Sequence, residues 1–218
     1  MNLNLFFTPT DILLPAHADM RRWSVIACDQ FTADAGYWQA VQDTVCDAPS
    51  TLRLMLPEFY LGKCDEAAAT REIQQTMRRY LDDGVFRTVP HSLVLVQRTL
   101  PGGAVRCGVV GALDLEAYDY APDSVTPIRA TEGTVASRLP ARVRIRAAAA
   151  LEMPHIMVFY SDPEDTIRRE AQAAAGETLY DFDLMSGGGH VRGLRVAGMD
   201  ADALAARLCA TGVGTDGA

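Results

Sequence analysis

The sequence predicts an α+β or mixed α/β fold, in which a mixed sheet with β-hairpins is flanked by helices. Two pairs of alternating segments are each joined by a short glycine-containing turn, "PGGA" or "SGGGH", which is typical of β-hairpins. Segments with helical periodicity lie between and around these pairs. No repeat, linker or low-complexity tract interrupts the chain, so residues 1–218 are predicted to form a single α/β domain, with a boundary near residues 122–127 as the alternative.

The strands predicted in the first half are two short ones and one hairpin. The segment "WSVIAC" (residues 23–28) is rich in β-forming residues, and "TLRLML" (residues 51–56) alternates until Pro57. The segments "HSLVLVQRTL" and "VRCGVVGALDL" are predicted to pair across "PGGA".

Two helices are predicted in the same half. Asp34 can cap the first, in which apolar side chains repeat at helical spacing as far as Val45. The second covers residues 65–84, with acidic residues at its start and Gly84 at its end. Its apolar stripe consists of Ala69, Ile73, Met77 and Leu81.

The second half begins its regular structure with "HIMVFY" (residues 155–160), which is predicted to be a buried strand. A helix is predicted over residues 161–176, with a serine or aspartate cap and Pro163 in the first turn. The segments "TLYDFDLM" and "VRGLRVAG" are predicted strands on either side of "SGGGH", and a last helix covers residues 200–212.

Composition excludes several classes of function. The net charge of −8 argues against a general binder of nucleic acid or of an anionic membrane, because both need a basic face. No apolar run approaches the roughly 18 residues of a membrane span. The N-terminus has no basic residues before its apolar ones, so no signal peptide is predicted and a cytoplasmic location is expected.

The five cysteines are scattered and form no C-x-x-C pair, so reduced, mostly buried thiols are expected. The four histidines are too dispersed to suggest a metal site, and none is predicted.

The stretch "IRATEGTVASRLPARVRIRA" (residues 128–147) gathers five arginines around Glu132. A helix starting near Pro140 would place Arg138, Arg142 and Arg146 on one face, with Val143 and Ile145 toward the core. A strand would instead place Arg142, Arg144 and Arg146 in a row. In either case the arginines form a solvated face paired with carboxylates, or they bind an anion.

The residues just before these arginines favour the anion. Thr131, Gly133 and Thr134 supply hydroxyls and backbone N–H groups, as anion-binding turns do. Arg129 lies two residues before Thr131, and Glu132 is a candidate base, metal ligand or arginine partner.

Two other segments contain candidate binding or catalytic residues. Gly187, Gly188 and Gly189 of "SGGGH" would let the backbone approach a ligand beside His190, and they equally make a good hairpin turn. Asp29 follows a predicted strand, where it could contact a substrate or Mg²⁺ or cap the next helix.

Several long blocks of this sequence resemble one family. "WSVIACDQFTADAGYWQAVQDTVCDAPSTLRLMLPEFYL", "RATEGTVASRLPARVRIR", "LEMPHIMVFYSDPE" and "LYDFDLMSGGGHVRG" together resemble the N-terminal half of the family called domain of unknown function 1015. The similarity runs over residues 23–193. The resemblance implies a longer family architecture, whose second half carries an Asp-Gly-(His/Asn)-His-(Arg/Ser) motif that is absent here.

That motif is similar to the active-site motif of ParB/sulfiredoxin-like free-serine kinases. The resemblance therefore implies a nucleotide-dependent kinase of a small hydroxylated metabolite, with ATP or ADP and Mg²⁺ as cofactors and serine as the leading substrate. The family's Arg/His-x-Glu-x-Thr block maps onto a set with two arginines downstream: Arg129, Thr131, Glu132, Thr134, Arg138 and Arg142.

Two functions follow as hypotheses. In the first, the arginines and residues 187–190 bind the phosphates of a small anion or nucleotide, and Glu132 or Asp29 holds Mg²⁺ or deprotonates the substrate. In the second, the chain is a non-catalytic binding or interaction domain, or an incomplete enzyme that associates with a second copy or with a missing C-terminal half.

Overall fold

The computed structural model describes residues 5–26, 31, 33–121, 123–130, 133, 135–153 and 155–211. Its predominant feature is a five-stranded antiparallel sheet. The sheet consists of β2 (Thr10–Pro15), β3 (Phe86–Thr99), β4 (Val105–Val110), β8 (Thr178–Asp183) and β9 (His190–Ala197). Two small two-stranded ladders join β1 (Phe7–Thr8) to β5 (Ala112–Leu113) and, in parallel, β6 (Tyr118–Asp119) to β7 (Ile128–Arg129). The α+β class with a mixed set of sheets is therefore confirmed.

The long strand β3 organises the sheet. Its first part pairs with β2 and its last part with β4, while β9 runs along the other side from Ser92 to Thr99. Leu93, Val94 and Leu95 are at most 2% exposed, so this strand is covered on both faces. A continuous apolar run with few polar residues is what such a central strand requires.

Six α-helices are present among the residues described. They are α1 (Met20–Trp23), α2 (Ala35–Val45), α3 (Glu66–Asp82), α4 (Leu139–Arg146), α5 (Thr166–Ala174) and α6 (Gly198–Ala210). Asp34 and Asp65 cap α2 and α3 by accepting hydrogen bonds from backbone N–H groups of the first turn. The predicted helices and both predicted hairpins are confirmed, and residues 139–146 form the helix rather than the strand.

Three apolar clusters hold these elements together. The first packs α5 and α6 against the sheet around Leu93, Ile167 and Leu204. In the second, α2 packs around Trp38, and in the third, α3 packs around Met77. No helix within the described ranges combines the length and apolar character needed to cross a membrane.

Two predicted strands in the first half are wrong. Trp23 ends α1, and residues 24–26 are not in a strand; residues 27 and 28 lie outside the described part. Thr51–Leu54 form a 3₁₀ helix. Leu52 is buried against α2 whereas Leu54 is buried against α3, so the alternation marks a chain passing between two clusters.

The predicted buried strand at residues 155–160 is also wrong. This segment has no regular secondary structure, and its side chains from Ile156 to Tyr160 are 40–79% exposed. Its backbone N–H and C=O groups form no backbone hydrogen bonds with the described residues. An apolar strand is buried only where neighbouring strands and helices cover it, and here they do not.

Smaller expectations also need correction. Helix α5 begins at Thr166, after Pro163, because the Asp162 carboxylate accepts from the N–H groups of Thr166 and Ile167 at 2.9 and 2.8 Å. Val143 is exposed rather than facing the core, whereas Ile145 packs beside α3. The free cysteines among the described residues are not mostly buried: three are exposed and Cys209 is partly buried.

Candidate functional site

The turn between β8 and β9, residues 186–190, is shaped by its glycines. Ser186, Gly187 and Gly189 have positive φ angles of 54°, 67° and 91°. A side chain at Gly188 would overlap with Ile26, and one at Gly189 would overlap with the Thr99 carbonyl. The hairpin-turn interpretation is therefore confirmed, and the turn packs closely on the end of β3 and on Ile26.

Arg98 is the cation beside this turn. It lies in β3, and its Nη2 donates to the Gly188 carbonyl at 3.3 Å. Its Nε is buried and has no hydrogen-bond partner among the described residues, and no described carboxylate pairs with the guanidinium. An arginine stays charged at any ordinary pH, and a buried unpaired donor costs about 1–3 kcal/mol. Arg98 is therefore a cation whose Nε–H lacks a hydrogen-bond partner among the described residues.

His190 lies at the other end of the turn, between two carboxylates. Its Nδ1 is 2.8 Å from Asp183 Oδ1, and its Nε2 is 2.6 Å from Asp181 Oδ1. The hydrogen bond to Asp183, with a smaller effect from Asp181, raises the pKa of His190. The hydrogen bond from His190 in turn lowers the pKa of Asp183.

Arginines surround these carboxylates: Arg192 Nε is 3.4 Å from Asp181 Oδ2, and Arg21 Nη2 is 3.8 Å from Asp183 Oδ2.

The register of β3 and β9 pairs His190 with Thr99 but Val191 with Arg98. Because successive side chains alternate between faces, His190 and Arg98 belong to opposite faces of the sheet. The predicted ligand residue His190 is therefore held by carboxylates on one face, and Arg98 borders the glycines on the other.

The arginines of α4 have carboxylate partners. Arg142 Nη2 is 2.8 Å from Glu58 Oε1, and Arg144 Nη2 is 2.6 Å from Glu66 Oε2. Arg146 pairs with Glu152 at 2.6 Å. These pairs, together with hydrogen bonds from Gln74 of α3 to the α4 backbone, fix the helix against α3 and residues 58–66.

The remaining predicted site residues are placed only in part. Arg129 is exposed in β7, and Gly133 is exposed. The backbone of Arg138 ends the 3₁₀ turn Ala136–Arg138 that leads into α4, and its side chain lies outside the described part. The other four lie outside the described residues altogether: Asp29, Thr131, Glu132 and Thr134.

Arg98 is not among the site residues that the sequence predicts. Its only signal was a charged residue inside the apolar segment "HSLVLVQRTL". Across the described ranges, no group of three or more histidine, cysteine, aspartate or glutamate side chains is arranged to hold a metal ion.

Comparison with known proteins identifies the family and nothing finer. No curated protein and no solved structure matches the chain. The model of the family described as "Protein of unknown function (DUF1015)" matches residues 9–210, which is nearly the whole chain. This chain, which contains Arg98 and the glycine turn, therefore belongs to the DUF1015 family.

Proposed function

We propose that this chain binds the phosphates of a nucleotide at Arg98 and the turn 186–190, as part of a kinase that phosphorylates a small hydroxylated metabolite. The observation that carries the proposal is the buried Nε of Arg98, which has a free N–H and no described carboxylate beside it. A guanidinium is the side chain best suited to phosphate because it offers several N–H donors in one plane.

The glycines support the same ligand. Gly188 has the right-handed φ, ψ values of −68° and 3°, and Gly189 follows with a φ of 91°. Such a change of hand is typical of turns whose backbone N–H groups bind an anion. The Gly188 N–H already donates to the Met185 carbonyl at 3.1 Å, so the Gly189 N–H is the proposed donor to phosphate. The Arg98 guanidinium adjoins this backbone through the Gly188 carbonyl.

Phosphoryl transfer depends mainly on positioning and on neutralising charge. In the proposed reaction, the substrate hydroxyl oxygen attacks the γ-phosphorus of ATP, and the bond to the oxygen bridging to the β-phosphate breaks. The hydroxyl proton passes to Glu132 or Asp29, and ADP is the leaving group. Mg²⁺, when bound, would neutralise charge on the phosphates. Serine is the proposed substrate, on the resemblance to free-serine kinases.

The arginine stretch has a secondary part in this proposal. Arg129 and Arg138, with the Thr131 and Thr134 hydroxyls, are proposed to bind further phosphate oxygens. Arg142 is already paired with a carboxylate, since its Nη2 lies 2.8 Å from Glu58 Oε1. We therefore propose that Arg98 contributes more to phosphate binding than Arg142 does.

Calorimetric titration with ATP or ADP in the presence of Mg²⁺ tests the binding step. Arg98→Gln should weaken binding by about tenfold or more, because a hydrogen bond to a charged group contributes about 1.5–3 kcal/mol. Arg87→Gln is the matched control, since Arg87 is exposed near the other end of the same strand. Absence of binding to the unmodified chain, or equal binding by the Arg98 variant, would contradict the proposal.

The chemical step has its own test, which is ADP formation from ATP with L-serine present. One of the two variants Glu132→Gln and Asp29→Asn, the one that removes the base, should lower turnover while leaving the affinity for ATP nearly unchanged. A chain that binds ATP but transfers phosphate to no hydroxyl compound would leave binding as its function.

A second candidate function is that of an interaction domain, and the exposed apolar segment 155–160 favours it. Ile156, Met157 and Phe159 are 61%, 79% and 73% exposed, and contiguous exposed apolar residues mark interaction surfaces. We propose that this segment mediates association with a second copy of the chain.

Light scattering over a range of protein concentrations tests this candidate. The unmodified chain should associate as concentration rises, and the double variant Met157→Ser with Phe159→Ser should stay monomeric. Val125→Ser is the control, because Val125 is 90% exposed but lies outside the segment. An unmodified chain that is monomeric at every soluble concentration would contradict self-association.

A further inference from the structure

A cavity of about 570 Å³ lies between α2, α3 and the chain that links them. Its volume falls within the range of about 300–1,000 Å³ that small-molecule pockets occupy. Neither Arg98 nor any residue of the turn 186–190 lines it, so it is separate from the proposed phosphate site.

The inner wall of this cavity is apolar. Leu52, Ile73 and Tyr80 line it and are themselves 5–7% exposed, so they are fixed by the clusters around α2 and α3. Met55 and Leu56 add further apolar surface. Such a wall accommodates a hydrocarbon or aromatic group, whose burial contributes about 25 cal/mol per Å².

One cation of the lining, Arg53, is held in place without a counter-charge. Its Nε donates to the Ala48 carbonyl at 3.3 Å, and its Nη2 donates to the Cys46 carbonyl. No carboxylate in the described part of the chain forms an ion pair with it. Its Nη1 group has no hydrogen bond to any described residue, so it can donate to a ligand.

A second cation of the lining, Arg79, is only weakly paired. Its Nη2 donates to the Thr76 hydroxyl at 2.8 Å and lies 3.6 Å from Glu72 Oε1. Both charged side chains are more than half exposed, and such surface pairs contribute little. A ligand carboxylate can therefore compete for this guanidinium. Two carboxylates also line the cavity, those of Asp47 and Glu72, and both residues are exposed, so water already solvates their charges.

We propose that this cavity binds a small organic acid, with an apolar body against Leu52 and Ile73 and a carboxylate on Arg53 and Arg79. The Gln42 amide and the Tyr60 hydroxyl, which are 3.5 Å apart, also line the cavity and suit a polar substituent. The ligand class follows from two guanidiniums beside an apolar wall, which match an amphipathic anion rather than a cation.

The reactivity of Cys64 reports directly whether a ligand is bound, because this exposed free thiol lines the cavity. The experiment measures alkylation of each cysteine by iodoacetamide, with peptide mass spectrometry, during titration with n-octanoate or n-octanol. Octanoate should protect Cys64 at about tenfold lower concentration than the uncharged octanol. Cys107 is also exposed but lies on β4, away from the cavity, so it should react at an unchanged rate.

Variants then test the cations. Arg79→Gln should remove most of the difference between octanoate and octanol. The Arg79 side chain is more than half exposed, so the variant should fold as the unmodified chain does. Arg71→Gln on the same helix is the control, because Arg71 is exposed and does not line the cavity. Equal protection by the two compounds, no protection, or an unchanged preference in Arg79→Gln would each overturn the proposal. ATP takes no part in these measurements, so their outcome is independent of the kinase proposal.

Discussion

Two short apolar segments of this protein have opposite environments. Residues 93–96 of β3 read "LVLV" and residues 156–160 read "IMVFY", so both have the composition of a buried strand. Leu93, Val94 and Leu95 are 0–2% exposed, whereas Met157 and Phe159 are 79% and 73% exposed. Composition alone therefore does not decide burial. Neighbouring elements decide it, since β3 has paired strands on both sides and helices packed on the sheet.

Backbone hydrogen bonds follow the same division. From Val94 to Thr99, β3 is paired with β4 on one side and with β9 on the other. The backbone of residues 155–160 has no such partner in the described part of the chain. Exposed backbone groups are hydrated at little cost, but the exposed apolar side chains lose the stabilisation that burial would give.

The largest expected effect separates the two segments directly. Leu93→Ala should lower the free energy of unfolding by about 2–5 kcal/mol, because it removes a fully buried side chain and leaves a cavity. Met157→Ala should change it by less than about 0.5 kcal/mol, as exposed positions do. Urea unfolding of dilute, monomeric protein measures the free energy of unfolding of both variants. A Met157 variant as destabilised as the Leu93 variant would show that the segment is buried in solution.

A smaller effect tests packing within the sheet itself. Gly193 of β9 and Gly108 of β4 both pair with Val96, so they occupy equivalent positions on either side of β3. A side chain at Gly193 would overlap with the Tyr180 ring, whereas the space at Gly108 is open.

Gly193→Ala should therefore destabilise the protein by about 1–3 kcal/mol through overpacking. Gly108→Ala should be neutral or should stabilise by up to about 1 kcal/mol, because it restricts the unfolded chain. Thermal unfolding of the two variants measures the difference. Equal melting temperatures would contradict the close contact between β9 and the Tyr180 ring.

Local patterns predicted much of this fold, and the failures have a common physical cause. The Asp34 cap, the acidic start of α3 and both glycine turns act within a few residues, so the sequence contains their full signal. The burial of residues 155–160 depends on partners distant in the chain, which local patterns do not contain. The same holds for Leu52 and Leu54, whose spacing resembles that of a strand although each is buried in a different cluster.

The candidate site was predicted in part for the same reason. The glycines of the turn 186–190 are visible in the sequence, and the structure confirms the turn they form. Arg98 became a candidate only when the fold placed its Nη2 on the Gly188 carbonyl and buried its Nε. No spacing rule distinguishes this arginine from Arg87 or Arg106, which are exposed on the same sheet.

The smallest expected effect is the pH dependence at the exposed end of the sheet. The pKa of His190 is raised, so its stabilising effect is complete below its ordinary pKa of about 6.5 and is lost as pH rises through the raised value. The pKa of Asp183 is lowered, so its effect is present above about 3.9 and is lost only in stronger acid.

His190→Gln should therefore flatten the fall of melting temperature as pH rises above about 6.5. His17→Gln is the control, because His17 is exposed and lies outside the sheet. Melting curves of the three proteins from acid to mildly alkaline pH measure the effect. An unchanged pH profile in His190→Gln would show that the Asp181–His190–Asp183 cluster does not form in solution.

The proposed phosphate site is tested most directly by a crystal structure of the chain with ADP and Mg²⁺. Our account predicts a phosphate oxygen within about 3 Å of the Arg98 guanidinium, beside the backbone of Gly188 and Gly189. Phosphates bound instead on the α4 arginines, with Arg98 Nε hydrogen-bonded to a carboxylate, would contradict it.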